Sequence, residues 1–180
     1  MNETFKAACI QNCASIDPNQ TCDRAEELIR EAASMGADLI CTPEFFSCLD
    51  TQISGLSTNP HPEEKHPALA RFKTLADQLN KWILLGSLTI QGDINDSRLF
   101  NRSYLVNSSG DIVARYNKIH LFDIDIDKEE VYREPDQFQP GTEAVVAPTP
   151  WGMLGMTVCY DVRFPHLYRD LAKAGAGILT

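Results

Sequence analysis

The chain has 180 residues, 43% hydrophobic and 23% charged, enough to bury a core and ordinary for one globular domain. Its 25 Asp and Glu against 16 Lys and Arg give a formal net charge of -9 with no basic stripe, which argues against nucleic-acid binding, since that is built from clustered Lys and Arg. No apolar run approaches the roughly 18 residues needed to cross a bilayer, so no membrane span is expected.

The N-terminal Asn2, Glu3, Thr4, Phe5 and Lys6 do not read as a secretory leader, and a cytoplasmic location is expected. In that reducing compartment Cys9, Cys13, Cys22, Cys41, Cys48 and Cys159 stay thiols. There is no Cys-x-x-Cys pair, and His61, His66, His120 and His166 have no zinc-site spacing, so no structural zinc site is expected.

Phe5 to Gln11 reads as a strand, and Ala25, Leu28, Ile29, Ala32 and Ala33 recur at helical spacing within Thr21 to Met35, closed by Gly36. Ala37 to Thr42 is a short buried strand ending at Pro43-Glu44-Phe45-Phe46. Thr51 to Pro67 carries turn chemistry, and a helix follows from Ala68 to Lys81. Three strands come next, Trp82 to Ile90, Leu99 to Asn107 and Ile112 to Tyr116, the last two joined by the hairpin-like turn Ser108 to Asp111. His120 to Pro140 is acidic with little periodicity. Strands at Ala144 to Ala147 and Met153 to Cys159 precede a helix from Pro165 to Ala174. The alternation of strands and helices predicts layered α/β architecture. A weak echo links residues 30–42 with 169–180, each a helix end, Gly-Ala and an apolar strand; if it is real, Thr180 corresponds to Thr42 and the chain stops abruptly.

Three residues share one kind of address, the exit of a buried strand, where open α/β layers collect their sites. Cys159 ends an apolar run and precedes a helix, whose N-terminal N–H groups would favour a thiolate. Glu44 emerges among aromatic residues and could accept a proton. Lys118, in Tyr116-Asn117-Lys118-Ile119-His120-Leu121-Phe122, could hold an oxyanion. A competing reading counts Asp123, Asp125, Asp127 and Glu134 as calcium-loop positions, but Lys128 stands where the loop needs glycine and no helix precedes, so a solvated acidic loop is the better expectation.

Pro43-Glu44 after a Gly-Ala-Asp-Leu-Ile strand, the string around Lys118 and Val158-Cys159-Tyr-Asp-Val-Arg-Phe-Pro165 together resemble the Glu, Lys and Cys signatures of the nitrilase, or carbon–nitrogen hydrolase, superfamily, in order. The resemblance implies an αββα sandwich, with residues 1–180 forming the N-terminal two thirds of a usual family domain and lacking its C-terminal elements. It implies Glu44 as general base, Lys118 as stabiliser of the intermediate and Cys159 as acylated nucleophile. It also implies Glu134 orienting Lys118 and the substrate, and the Tyr160 N–H completing the oxyanion site.

The strings Lys118 to Asp123 and Cys159 to Pro165 resemble the Nit-type amidase branch, which includes ω-amidases and deaminated-glutathione amidases, and Tyr160-Asp161 stands where true nitrilases usually have Trp-Glu, which favours amide over nitrile hydrolysis. The implied reaction is hydrolysis of a small carboxylate-bearing ω-amide with release of ammonia, needing no cofactor, with Arg163 as a partner for the substrate carboxylate. Such proteins are expected to form homo-oligomers when the full domain is present. The alternatives are a truncated, non-catalytic family fragment and a nitrilase- or carbamoylase-type hydrolase.

Overall fold

The computed structural model describes residues 4–49, 59–92, 96–127 and 130–180. The first helix, α1 (Pro18–Ser34), follows strand β1 (Ala7–Cys9) and begins before the apolar periodicity does. Its start is fixed by chemistry: the Asp17 carboxylate accepts from the N–H groups of Asn19 (2.9 Å) and Gln20 (3.3 Å), and Pro18 supplies a preset φ at the first turn. Strand β2 (Leu39–Cys41) follows. Helix α2 (Pro67–Leu79) ends at Asn80 in the left-handed conformation, and β3 (Trp82–Gln91), β4 (Leu99–Val106) and β5 (Ile112–Asn117) form a meander.

These five strands make one sheet in the order β1-β2-β3-β4-β5. The first three run parallel, and β3–β4 and β4–β5 are antiparallel. Two reversals restore direction, so β5 points the same way as β2. The residues that follow β2 and β5 therefore leave the sheet at the same end.

Side-chain alternation divides the core. Ile40, Ile83, Leu85, Tyr104 and Val106 face α1 and α2, where they meet Ala25, Ile29, Phe72 and Leu75. Their neighbours Leu39, Leu84 and Leu105 face the other way, onto Ala147, Leu154 and Met156 of a second sheet. That sheet has the order β10-β9-β8, from β8 (Val145–Thr149), β9 (Gly152–Met156) and β10 (Ala176–Leu179). Helix α3 (Pro165–Lys173) covers its outer side: a Cβ at Gly155 would lie 3.2 Å from the Leu171 Cβ, so glycine eases the close approach of helix and strand. The layers are α, β, β, α, as the family resemblance implies.

The sequence echo corresponds to a repeated unit. In β1-α1-β2 and in β9-α3-β10 the two strands are parallel, and the helix ends at a positive-φ glycine, Gly36 (84°) and Gly175 (97°).

Two differences from the sequence expectation matter. Strand β9 stops at Met156, so Thr157 and Val158 carry the chain from sheet to cysteine. The acidic segment is not without structure: β6 (Asp123–Asp125) pairs with β7 (Val131–Arg133), and Arg133 binds Asp123 at 3.1 Å and also Asp125. Glu134 turns inward to Lys118, away from this hairpin. Lys128 of the calcium-loop count lies outside the described residues. Among the described residues no helix is long and apolar enough to cross a membrane.

Candidate active site

Glu44 reaches its place because the chain after β2 crosses tightly over β3. A Cβ at Gly86 would lie 2.2 Å from the Thr42 carbonyl oxygen and 2.3 Å from that of Pro43, so β3 can pass here only as glycine. The crossing is pinned by the Gly86 N–H donating to Thr42 Oγ1 (3.0 Å) and the Phe45 N–H donating to Ser87 Oγ (2.9 Å). Phe45 itself has φ 50°, a left-handed conformation that costs a non-glycine residue about 1–2 kcal/mol. The strain sits beside Glu44.

Lys118 follows β5 and is 2% exposed. Its backbone is held on both sides: its N–H donates to the Asn101 carbonyl (2.9 Å), and its carbonyl accepts from the Gly141 N–H (2.8 Å). Gly141 is again a position of close approach, where a Cβ would lie 2.1 Å from the Asn117 carbonyl oxygen. The ammonium bridges two carboxylates, 2.9 Å from Glu44 Oε1 and 2.9 and 3.2 Å from the two oxygens of Glu134. Burial favours the neutral amine, but the two carboxylates outweigh it and hold the Lys118 ammonium above its ordinary value. Glu134 is fixed further by the Phe122 N–H, which donates to its Oε2 at 2.6 Å.

Cys159 opens a turn of 3-10 helix, Cys159–Arg163, and has φ 47°. The thiol is pushed up to about 11, first by desolvation and then by the Glu44 carboxylate, with Lys118 pulling the other way. This corrects the expectation of a thiolate held by helix N–H groups. The turn is too short to supply much dipole, and the nearby carboxylate favours the protonated form. The surroundings of Cys159 therefore favour the thiol over a preformed thiolate.

Asp161, two residues on, is fully buried; the sequence marks it only as part of the Tyr160-Asp161 pair and assigns it no role in the site. Its Oδ2 accepts from Tyr116 Oη (2.7 Å) and the Val158 N–H (2.9 Å), and its Oδ1 accepts from the His120 N–H (3.0 Å) and His120 Nδ1 (2.7 Å). His120 stacks on Phe164, ring centroids 3.6 Å apart. The turn carrying Cys159 is thus tied to the segment that carries Lys118. Asn101 is a second such residue. It is 1% exposed on β4, on the same face as Ser103 and Leu105, and its Nδ2 donates to Glu44 Oε1 (2.7 Å) and Glu134 Oε1 (3.2 Å). Polar residues at 101 and 103, spaced by two within a buried strand, are the available signal.

Of the residues singled out in the sequence, Glu44, Lys118 and Glu134 form one hydrogen-bonded cluster, and Cys159 lies within its electrostatic reach. The Tyr160 ring packs against Phe122 (5.0 Å) and Phe164 (5.4 Å). Arg163 is exposed and, among the described residues, makes no ion pair or side-chain hydrogen bond.

The layered fold agrees with the wider comparison. The carbon–nitrogen hydrolase family model matches residues 6–180, and the chain belongs to that family. It is 36% identical over 177 residues to deaminated glutathione amidase of Yersinia enterocolitica, a match that takes in 96% of this chain and 60% of that protein. The deaminated glutathione amidase of Dictyostelium discoideum is 36% identical over 162 residues, with 87% of this chain and 55% of that protein covered. The chain therefore spans a little over half the length of these curated relatives. Among solved structures, the C. elegans NitFhit protein superposes with a TM-score of 0.81 at 27% identity, covering 97% of this chain and 42% of that one. An amidase from Nesterenkonia sp. does so with a TM-score of 0.79 at 25% identity, covering 99% and 65%.

Proposed function

We propose that this chain carries the catalytic centre of a thiol amidohydrolase that cleaves the C–N bond of a small carboxylate-bearing ω-amide and releases ammonia. The observation that carries the reading is the hydrogen-bonded Glu44–Lys118–Glu134 cluster, with Lys118 and Glu134 buried and Glu44 half-buried, beside Cys159. The names of the amidase relatives support the same reaction class.

In this mechanism the Cys159 sulfur attacks the amide carbon as its proton passes to Glu44. Proton transfer during attack suits a thiol that is not ionised beforehand. The carbonyl oxygen gains the negative charge. Lys118 Nζ meets three carboxylate oxygens at rest, so it holds this oxyanion by giving up its longest contact, the 3.2 Å one to Glu134 Oε1, and the Tyr160 N–H is the second donor. Glu44 then returns the proton to the departing nitrogen, the C–N bond breaks, ammonia leaves and a thioester remains. Water, losing a proton to Glu44, attacks the thioester. The C–S bond breaks, the acid is released, and the proton returns to sulfur. Glu134 keeps the Lys118 ammonium in place throughout, and Arg163, exposed and unpaired among the described residues, is free to meet the substrate carboxylate.

Ammonia release from a panel of ω-amides tests the proposal, wild type against Cys159→Ala. Turnover of at least one carboxylate-bearing amide, abolished in a folded Cys159→Ala variant, is expected. Undiminished turnover in that variant contradicts it.

A further inference from the structure

Asn101, like Lys118, binds both carboxylates of the cluster at once. Being antiparallel to β3, β4 begins at the end of the sheet where β2 and β5 exit, so an early residue of β4 sits between Glu44 and Lys118. Its main-chain carbonyl accepts the Lys118 N–H (2.9 Å), while its side-chain amide donates to Glu44 Oε1 (2.7 Å) and Glu134 Oε1 (3.2 Å). The amide orientation is forced, because turning it over would set its oxygen against two carboxylates. In this orientation its Oδ1 is buried with no hydrogen-bond partner. Among the described residues, the amide thus uses its donating end, toward both carboxylates.

The distribution over Glu44 is uneven. Both Lys118 Nζ (2.9 Å) and Asn101 Nδ2 (2.7 Å) bind Oε1, and neither binds Oε2. Two donors converging on one oxygen fix the plane of the carboxylate and leave the other oxygen to take up a proton. Lys118 alone, meeting the group through a single oxygen, would leave the carboxylate free to turn about that contact.

We infer that Asn101 is a positioning residue for the reaction: by donating to Glu44 Oε1 and Glu134 Oε1, it turns Glu44 Oε2 toward the Cys159 thiol and sets both carboxylates around Lys118. This rests on the amidohydrolase reading above. It gives a neutral side chain, absent from the Glu–Lys–Cys signatures, control over how readily the thiol loses its proton.

The test uses Asn101→Leu, close in shape, and Asn101→Ser, which avoids placing an apolar group beside two carboxylates should the leucine variant misfold. Steady-state ammonia release and the rate of Cys159 alkylation by iodoacetamide are measured on the full protein. Both folded variants are expected to lose about 10- to 100-fold in kcat, part of what a positioned base supplies, with KM within about threefold and the alkylation rate moved upward, because a displaced Glu44 no longer holds the thiol protonated. Wild-type kcat and alkylation rate in either folded variant overturn the inference. If Cys159→Ala still releases ammonia, the amidase reading fails on its own account, and the alkylation rates still decide the role of Asn101.

Discussion

Asp161 accepts two hydrogen bonds from His120, one from the backbone N–H (3.0 Å) and one from ring Nδ1 (2.7 Å), joining the nucleophile turn to the segment just after Lys118. A carboxylate only accepts, so Nδ1 donates and the histidine tautomer is fixed. Since Tyr116 and Val158 bind the other oxygen, one buried side chain sets the distance between two strand exits that lie on different sheets. Asp161→Asn keeps the shape but turns an NH2 group toward at least one pair of these donors. We expect a loss of about 2–3 kcal/mol in urea unfolding. A change below about 0.5 kcal/mol would show that the clamp has no energetic role.

Close backbone approach makes a second, sharper set of expectations. At Gly86 and Gly141 an added Cβ meets backbone oxygen at 2.2 and 2.1 Å, whereas at Gly177 it meets nothing within 4 Å. Backbone cannot rotate away as a side chain can. Gly86→Ala and Gly141→Ala should each cost about 3 kcal/mol or more and displace Glu44 and Lys118 respectively, with Gly177→Ala within about 0.5 kcal/mol. Thermal or urea denaturation of the three variants checks the contrast.

Cys159 should titrate as a thiol and not as a preformed thiolate. With its ionisation pushed up to about 11, alkylation by iodoacetamide should rise close to tenfold per pH unit through pH 7 to 9, with no plateau in that range. A flat profile above pH 7 would mean that the thiolate is already formed and that Glu44 does not restrain it.

His66 makes stability depend on pH by a route separate from the site. Burial, then His61, pushes its ring down to about 4 from 6.5, and neither ring nitrogen has a partner. The unfolded chain binds the proton more readily, so the stabilisation is complete above pH 6.5 and is lost as pH falls toward 4. Across that window the difference between wild type and His66→Leu should change by about 3 kcal/mol, at most about 1.4 kcal/mol per pH unit. Chemical denaturation of both proteins at several pH values measures it; parallel curves would contradict the assignment.

Much of the site is legible in local strings because Glu44, Lys118 and Cys159 each follow a buried strand whose apolar run is visible. Glu134 joins them by family pattern alone. Asn101 and Asp161 stay hidden for a physical reason: their meaning lies in partners 57 and 41 residues away, and no local periodicity encodes which oxygen meets which donor. The β6–β7 hairpin escapes the sequence reading because it is largely exposed, so Asp-Ile-Asp reads as solvated charge, while Arg133 neutralises both aspartates across the pair. The start of α1 escapes it because Asp17-Pro18 is a capping signal and carries no apolar periodicity.

The most direct measurement of the central claim is the intact mass of the full protein after rapid acid quench during turnover of an ω-amide. The account predicts a species heavier by the amide less ammonia, with the added acyl group on the peptide containing Cys159 and none formed by Cys159→Ala. Turnover at the wild-type rate by the Cys159→Ala variant, or an adduct borne by another residue, would contradict it.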